Sequence, residues 1–99
     1  MKYGIYTVRD FKVGFMSPVA DSNDASAMRG FEHSVLHSDI NFITSHPEDY
    51  ALFKIGEYDS DSGVITPIFP IVELLTATQV VDAATARFNA MEGSEKKCK

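Results

Sequence analysis

Residues 59–63 read Asp-Ser-Asp-Ser-Gly, and their carboxylates and hydroxyls are the oxygen groups that bind calcium in loop sites. An EF-hand loop needs oxygen ligands at its first, third and fifth positions, glycine at its sixth and glutamate at its twelfth. Counted from Asp59, the fifth position is Gly63 and the twelfth is Pro70, so the ligand set is incomplete. Aspartate and serine also bond to nearby backbone, and glycine supplies the positive φ of a turn. The sequence therefore predicts a hairpin turn here and no calcium site.

Two histidines, His33 and His37, are four residues apart, with Asp39 and His46 further along the chain. A structural zinc site needs four convergent ligands, usually including cysteine, and the one cysteine, Cys98, is the penultimate residue. We therefore predict histidines on a helix surface, no metal site and no other cofactor. A single cysteine forms no intramolecular disulfide, which is typical of a reducing cytoplasm.

Motifs for catalysis are absent from the sequence. It contains no Gly-x-Ser-x-Gly elbow, no phosphate-binding glycine loop and no zinc-protease motif. We therefore expect that the protein is not an enzyme.

The remaining candidate site is aromatic and basic. Aromatic rings flanked by cations hold single-stranded nucleic acid by stacking on bases and neutralising phosphates. The candidate nucleic-acid-binding residues are Lys2, Tyr3, Tyr6, Arg9, Lys12, Tyr50, Lys54 and Tyr58. Of these, Tyr50, Lys54 and Tyr58 share one face if their strand is regular. The alternative is that the aromatic residues fill the core or line a subunit interface.

Two hairpins are predicted to position these residues. Residues 2–9 and 13–16 are rich in strand formers, and Pro18 ends the second strand or lies at its edge. Residues 50–58 and 64–75 form the second hairpin, with 64–75 as an edge or irregular strand because it contains two prolines. Gly56, in mid-strand, indicates a bulge or a close backbone approach.

The inward face of the strand at 50–58 is predicted from alternation. One face carries Tyr50, Leu52, Lys54, Gly56 and Tyr58, and the other carries Ala51, Phe53, Ile55 and Glu57. The second set offers the better aliphatic and aromatic packing, so we expect it to point into the core.

Two helices are predicted. Capping residues at 22–24 precede a helix over 24–36, whose apolar residues, Phe31 among them, recur at helical spacing. A short helical turn is expected around 40–43, before Pro47. Thr76 and Gln79 have the spacing of a capping box, followed by an amphipathic helix over about 78–91.

Composition favours one domain, over residues 1–92, with a flexible charged tail at 93–99. The chain has 99 residues, is 44% hydrophobic and carries a net charge of −5. No stretch is apolar for long enough to span a bilayer, so no membrane association is expected. Charge is uneven: residues 1–12 carry three cations against one acid, a net of +2, and residues 39–73 carry seven acids against one cation, a net of −6. One end of the domain is therefore better suited to face phosphates than the other.

A resemblance to a known family lies in residues 46–59, HPEDYALFKIGEYD, closed by Gly63. This run resembles the signature segment of the small nonstructural proteins of gokushoviruses, single-stranded DNA phages of the Microviridae. An Asp10-Phe11-Lys12 connection, Pro18, and Asn23 before a helix extend the resemblance over roughly residues 1–70. The helix at 78–91 lies outside it. The resemblance implies a protein of the infected bacterial cytoplasm that assists genome synthesis or packaging, described for the family as DNA-binding.

These observations predict an α+β fold, with a four-stranded, mostly antiparallel sheet from two hairpins, one covering helix and a C-terminal amphipathic helix. The leading hypothesis is a non-enzymatic phage accessory protein that binds single-stranded DNA. The alternative is a homodimeric adaptor that engages phage or host replication and packaging proteins through its tyrosine-bearing face, without binding DNA.

Overall fold

The computed structural model describes residues 1–37 and 45–97, with side chains as far as residue 90. The elements are β1 (Lys2–Asp10), β2 (Gly14–Phe15), β3 (Val19–Asp21), α1 (Asp24–His37), a 3₁₀ turn (Pro47–Asp49), β4 (Tyr50–Asp59), β5 (Ile65–Thr76) and α2 (Ala77–Lys97). The helical turn predicted around 40–43 lies outside the described residues.

The strands form one antiparallel sheet in the order β2-β1-β4-β5, and β3 pairs with β1 on the same edge as β2. This confirms the predicted α+β fold with an antiparallel sheet and two helices. The predicted strand at 13–16 is shorter than expected, and a further strand follows Pro18. Gly14, with φ of 135°, and Pro18, which has no N–H to donate, interrupt what would otherwise be one strand.

Helices α1 and α2 contact each other and cover one face of the sheet. The core lies between the helices and the sheet. It includes Tyr6 of β1, Leu52 of β4, Phe31 and Val35 of α1, and Val80 of α2. Phe31 is 4% exposed, which confirms the predicted burial of the α1 stripe.

The predicted inward face of β4 is wrong. Tyr6 pairs with Lys54 and Val8 with Leu52, so Leu52 and Lys54 are on the helix side, while Phe53 is on the opposite side. Phe53 is nevertheless buried, because the rings of Phe11 and Phe15 contact it there. Phe53 is therefore buried by two neighbouring aromatic rings and not by the helices, so its apolar side chain does not indicate on which side the helices pack.

A β-bulge interrupts β4, as Gly56 indicated. Ile5 pairs with Gly56 and Tyr6 with Lys54, so Ile55 has no opposite residue in β1. A Cβ on Gly56 would lie 2.9 Å from the carbonyl oxygen of Thr66, which explains glycine at this position. The bulge reverses the alternation beyond it, so Tyr58 faces away from Lys54. The prediction that Tyr50, Lys54 and Tyr58 share one face is therefore wrong.

The connection between β4 and β5 is a hairpin turn, as predicted. The N–H of Asp59 donates to the carbonyl of Val64 at 3.0 Å, and the N–H of Gly63 donates to the carbonyl of Asp59 at 2.7 Å. Gly63 has a φ of 76°, the left-handed conformation that glycine adopts without strain. The acidic and hydroxyl side chains of the turn also bond to its own backbone, as in the bonds that Asp59 and Ser62 accept.

Strand β5 is an edge strand with an irregular middle, in agreement with its two prolines. Val72 pairs with Lys54 and Pro67 with Gly56, so residues 68–71 bulge from the ladder opposite Ile55. Phe69 in this bulge is 93% exposed.

Helix α2 begins with the predicted capping box. The backbone N–H of Thr76 donates to Gln79 Oε1 at 2.9 Å, and the N–H of Gln79 donates to Thr76 Oγ1 at 3.1 Å. The helix continues to Lys97, six residues beyond its predicted end.

Candidate nucleic-acid interface

The sheet face opposite the helices is called here the open face. The strand register places Tyr3, Ile5, Thr7 and Arg9 of β1 on it, together with Phe53 and Tyr58 of β4 and Ile65 of β5. Two groups of side chains on this face have the chemistry expected of a nucleic-acid site.

The first group surrounds Arg9 at the end of β1. Its guanidinium carbon lies 4.9 Å from the centre of the Phe11 ring and 5.2 Å from that of Phe15. Both rings pack edge-on against Phe53, with centroid separations of 6.3 and 6.1 Å. Phe11 and Phe15 remain about half exposed, at 46% and 51%. The Arg9 cluster, consisting of these four residues, therefore presents a cation and two accessible aromatic rings to solvent.

The second group is the pair Tyr3 and Tyr58, directly opposite each other on β1 and β4. Their ring centroids are 6.5 Å apart with an interplanar angle of 30°. Beside this pair is an apolar groove of about 300 Å³, lined by Ile5, Pro18, Val19, Ala20, Tyr58 and Ile65. The rings and the groove offer flat apolar surface of the kind on which bases stack.

The helix side of the sheet holds a different arrangement, centred on Tyr6. The buried Tyr6 hydroxyl donates to Asp24 Oδ1 at 2.6 Å, and Lys54 Nζ lies 3.3 Å from the same oxygen. Burial, reinforced by the Asp24 carboxylate, raises the pKa of Tyr6. The hydrogen bond from Tyr6 and the nearby Lys54 lower the pKa of Asp24. This internal network leaves neither Tyr6 nor Lys54 available as an open stacking or phosphate contact.

The predicted site residues are therefore divided between the two sides of the sheet. Tyr3, Arg9 and Tyr58 are on the open face, and Lys12 lies in the exposed turn that follows β1. The helix side carries Tyr6 and Lys54, together with Tyr50, which packs against the core. Lys2 lies at the exposed start of β1.

Phe11, Phe15 and Phe53 of the Arg9 cluster are not among the residues predicted for the site. Phe11 lies between Asp10 and Lys12, in a segment read only as a connection, and Phe53 was assigned to the core. The signal available for Phe11 is its position two residues after Arg9, at the point where the strand ends.

Metal binding finds no support in the described residues, where no three histidine, cysteine, aspartate or glutamate side chains are grouped to hold an ion. His33 and His37 are exposed on α1, as predicted, and Asp39 lies outside the described residues. In the described part of the chain no helix is long and apolar enough to cross a membrane.

A family model described as Phage ORF5 protein matches residues 3–80 of the chain. The chain belongs to the Phage ORF5 protein family. The match covers the whole sheet, including the Arg9 cluster and the tyrosine pair, together with α1, and it ends four residues into α2. The search of curated proteins and the search of solved structures each found no match. This is therefore a small phage protein, and its candidate interface lies within the part that matches the family.

Proposed function

We propose that this chain is a nonstructural accessory protein of a gokushovirus-like phage of the Microviridae. We further propose that it binds single-stranded DNA through its open face during genome synthesis or packaging, without enzymatic activity. Membership of the Phage ORF5 family supports the phage role. The resemblance of residues 46–59 to gokushovirus nonstructural proteins supports the narrower assignment.

The observation that carries the proposal is the presence of the Arg9 cluster and the tyrosine pair at opposite ends of the open face. Single-strand-binding proteins combine cations that contact phosphates with aromatic rings on which bases stack, each base being worth about 1–3 kcal/mol. Arg9 and Tyr3 are six residues apart on β1, which at about 3.3 Å per residue separates them by roughly 20 Å. A short run of nucleotides laid along β1 therefore meets aromatic rings at both ends of the face.

The distribution of acidic residues supports the proposal in spite of the net charge of −5. Gly4 is on the helix side of the sheet, like Tyr6, and both Glu57 and Asp21 pair with it. Glu57 also lines the same cleft as Tyr6 and Lys54. These two acids are therefore on the helix side. Of the paired strand residues on the open face, Glu73 is the acidic one and Arg9 the basic one. The open face therefore lacks the acidity of the whole chain.

The test is a fluorescence-anisotropy titration of the protein with labelled oligothymidylate over a salt series. Replacing both Tyr3 and Tyr58 by alanine is expected to weaken binding by on the order of a hundredfold. Arg9→Gln is expected to lower the slope of log affinity against log salt by about 0.7 for the lost phosphate contact.

Lys54→Gln is the matched control for Arg9→Gln, because it removes the same charge from the helix side of the sheet. It should leave the salt slope unchanged, with the fold of every variant checked by circular dichroism. A wild-type protein that does not bind at low salt, or an equal effect of the two substitutions, would contradict the proposal.

An adaptor role is favoured by a separate observation on β5, a surface other than the tyrosine-bearing face predicted for it. Residues 62–72 contain no charged side chain, although exposed edge strands are normally protected by charge as well as by proline. Val64, Ile65, Phe69 and Val72 in this segment are all exposed. If the protein dimerises or engages a partner here, Phe69→Ser should convert a dimer to a monomer by light scattering while DNA binding is retained. A wild-type monomer would remove the support for the dimeric adaptor.

A further inference from the structure

A second polar cleft lies between α1 and α2, and its basic side chains have no part in the proposed function. It is an open cleft of about 250 Å³, lined by Arg29, Glu32, His33, Leu36, His37 and Arg87. Arg29, His33 and His37 are spaced four residues apart, so they form one row along α1, and Arg87 approaches from α2. The rings of His33 and His37 are 4.8 Å apart. Two arginines and two imidazoles from two helices thus line one cleft.

The arginines have no internal counterion among the described side chains. The ion pairs found there join the N-terminal ammonium to Asp59 and Asp61, and Lys54 to Asp24. Glu32 lines the cleft, and neither arginine forms an ion pair with it. Like charges brought together without a partner destabilise a protein, and an anion held between them reverses that effect.

We propose that the cleft between α1 and α2 is a phosphate-binding site. Guanidinium groups present planar forks of N–H donors that match the oxygens of a phosphate, and imidazoles supply additional donors. The positive charge of two arginines opposes a metal cation, so the histidines act as donors to the anion and not as metal ligands. Glu32 limits the net positive charge of the cleft and sets its affinity below that of a site without an acid.

The proposal does not rest on DNA binding by the open face, since the cleft lies on the helix side of the sheet. Arg87 also lies beyond residue 80, where the family match ends. Two sources of phosphate fit the same chemistry: a free phosphate or nucleotide, and the phosphodiester backbone of a nucleic acid. The experiment separates them.

The test is a titration of the ¹⁵N-labelled protein with inorganic phosphate, followed by the side-chain signals of Arg29 and Arg87 and the ring signals of both histidines. We expect saturable shifts confined to these residues, with sodium chloride of equal ionic strength as the reference. Arg29→Gln and Arg87→Gln should each weaken phosphate binding at least tenfold. Lys97→Gln, which removes a cation at the end of α2, ten residues beyond Arg87, is the matched control and should have no effect.

Thymidine monophosphate and oligothymidylate form the other two arms. Binding of the monophosphate alone assigns the site to small phosphates. Binding of the oligonucleotide with loss on Arg87→Gln assigns it to the nucleic-acid backbone. Shifts that sodium chloride reproduces, or that persist in both arginine variants, would overturn the proposal. Failure of the open-face variants to affect DNA binding would not alter it.

Discussion

At the residue scale, the side chain that organises the helix side of the sheet is Tyr6. It is 1% exposed, and its hydroxyl reaches Asp24 at the start of α1. A buried hydroxyl without an acceptor costs about 1–3 kcal/mol, so Asp24 stabilises the contact between β1 and α1. Gly4 is part of the same arrangement, because a Cβ at that position would overlap the Tyr6 ring.

Asp24→Asn should destabilise the protein in a pH-dependent way. The hydrogen bond from Tyr6 and the Lys54 ammonium lower the pKa of Asp24 in the folded state. Its contribution is therefore present above the ordinary carboxyl pKa of about 3.9 and is lost as the pH falls towards the lowered value. Urea unfolding midpoints of wild type and variant should differ at pH 7 and converge near pH 2. A difference that stays constant over this range would show that the charge of Asp24 has no role.

At the scale of elements, the helices are attached to the sheet through a small apolar cluster. Phe31 and Val35 of α1 and Val80 of α2 are at most 4% exposed, and each contributes to the one cluster that joins helices to sheet. Farther along α2, Phe88 is 63% exposed. The stability of the domain should therefore depend strongly on Phe31 and weakly on Phe88.

Phe31→Ala should lower the free energy of unfolding by about 3–5 kcal/mol, the usual cost of removing a buried phenylalanine ring. Phe88→Ala is the matched control and should change it by no more than about 0.5 kcal/mol, because its side chain is largely in solvent. Both values come from chemical denaturation followed by circular dichroism. Equal effects of the two substitutions would mean that the core assignment is incorrect.

The same elements show what the sequence predicted and what it did not. Periodicity and capping residues predicted α1, α2, the hairpin turn and the strand positions, because each of these signals is local. The covered side of β4 was not predictable in this way, since Leu52 on one side and Phe53 on the other are both apolar. The bulge at Ile55 then moved Tyr58 to the other face, although Gly56 had indicated an irregularity. Tyr3, Arg9 and Tyr58 were correctly predicted to be on strands, but their grouping depends on register between distant strands.

At the scale of the whole molecule, the two sides of the sheet differ in chemistry. The helix side carries a hydrogen-bonded network of acid, lysine and tyrosine, and the open face carries aromatic rings with Arg9. The turn at residues 59–63 lies at one end, where Asp59 and Asp61 are close to the N-terminal ammonium. These acids thus have protein partners already and do not require an ion.

Calcium should therefore leave the melting temperature of the protein unchanged. A ligand that binds only the folded state raises that temperature by an amount set by its concentration relative to its dissociation constant. An incomplete site does not bind calcium and gives no such rise. Thermal unfolding in millimolar calcium chloride and in EDTA should give the same midpoint, with magnesium chloride as a control for ionic strength. A calcium-specific rise of several degrees would contradict the assignment of residues 59–63 as a simple turn.

Because β1 pairs with β4, the sheet forms only after residues 1–59 are available. These neighbours in the sheet are separated along the chain by β2, β3 and α1, so Tyr6 finds its partner Lys54 only after a loop of 47 intervening residues has closed. Non-local contacts of this kind slow folding, because the entropy of loop closure is lost before the contacts form. During synthesis, residues 1–37 emerge without the strand against which their apolar side chains pack. Until β4 follows, the apolar side chains of the N-terminal segment lack this partner strand, so slower translation through residues 38–59 should prolong their exposure.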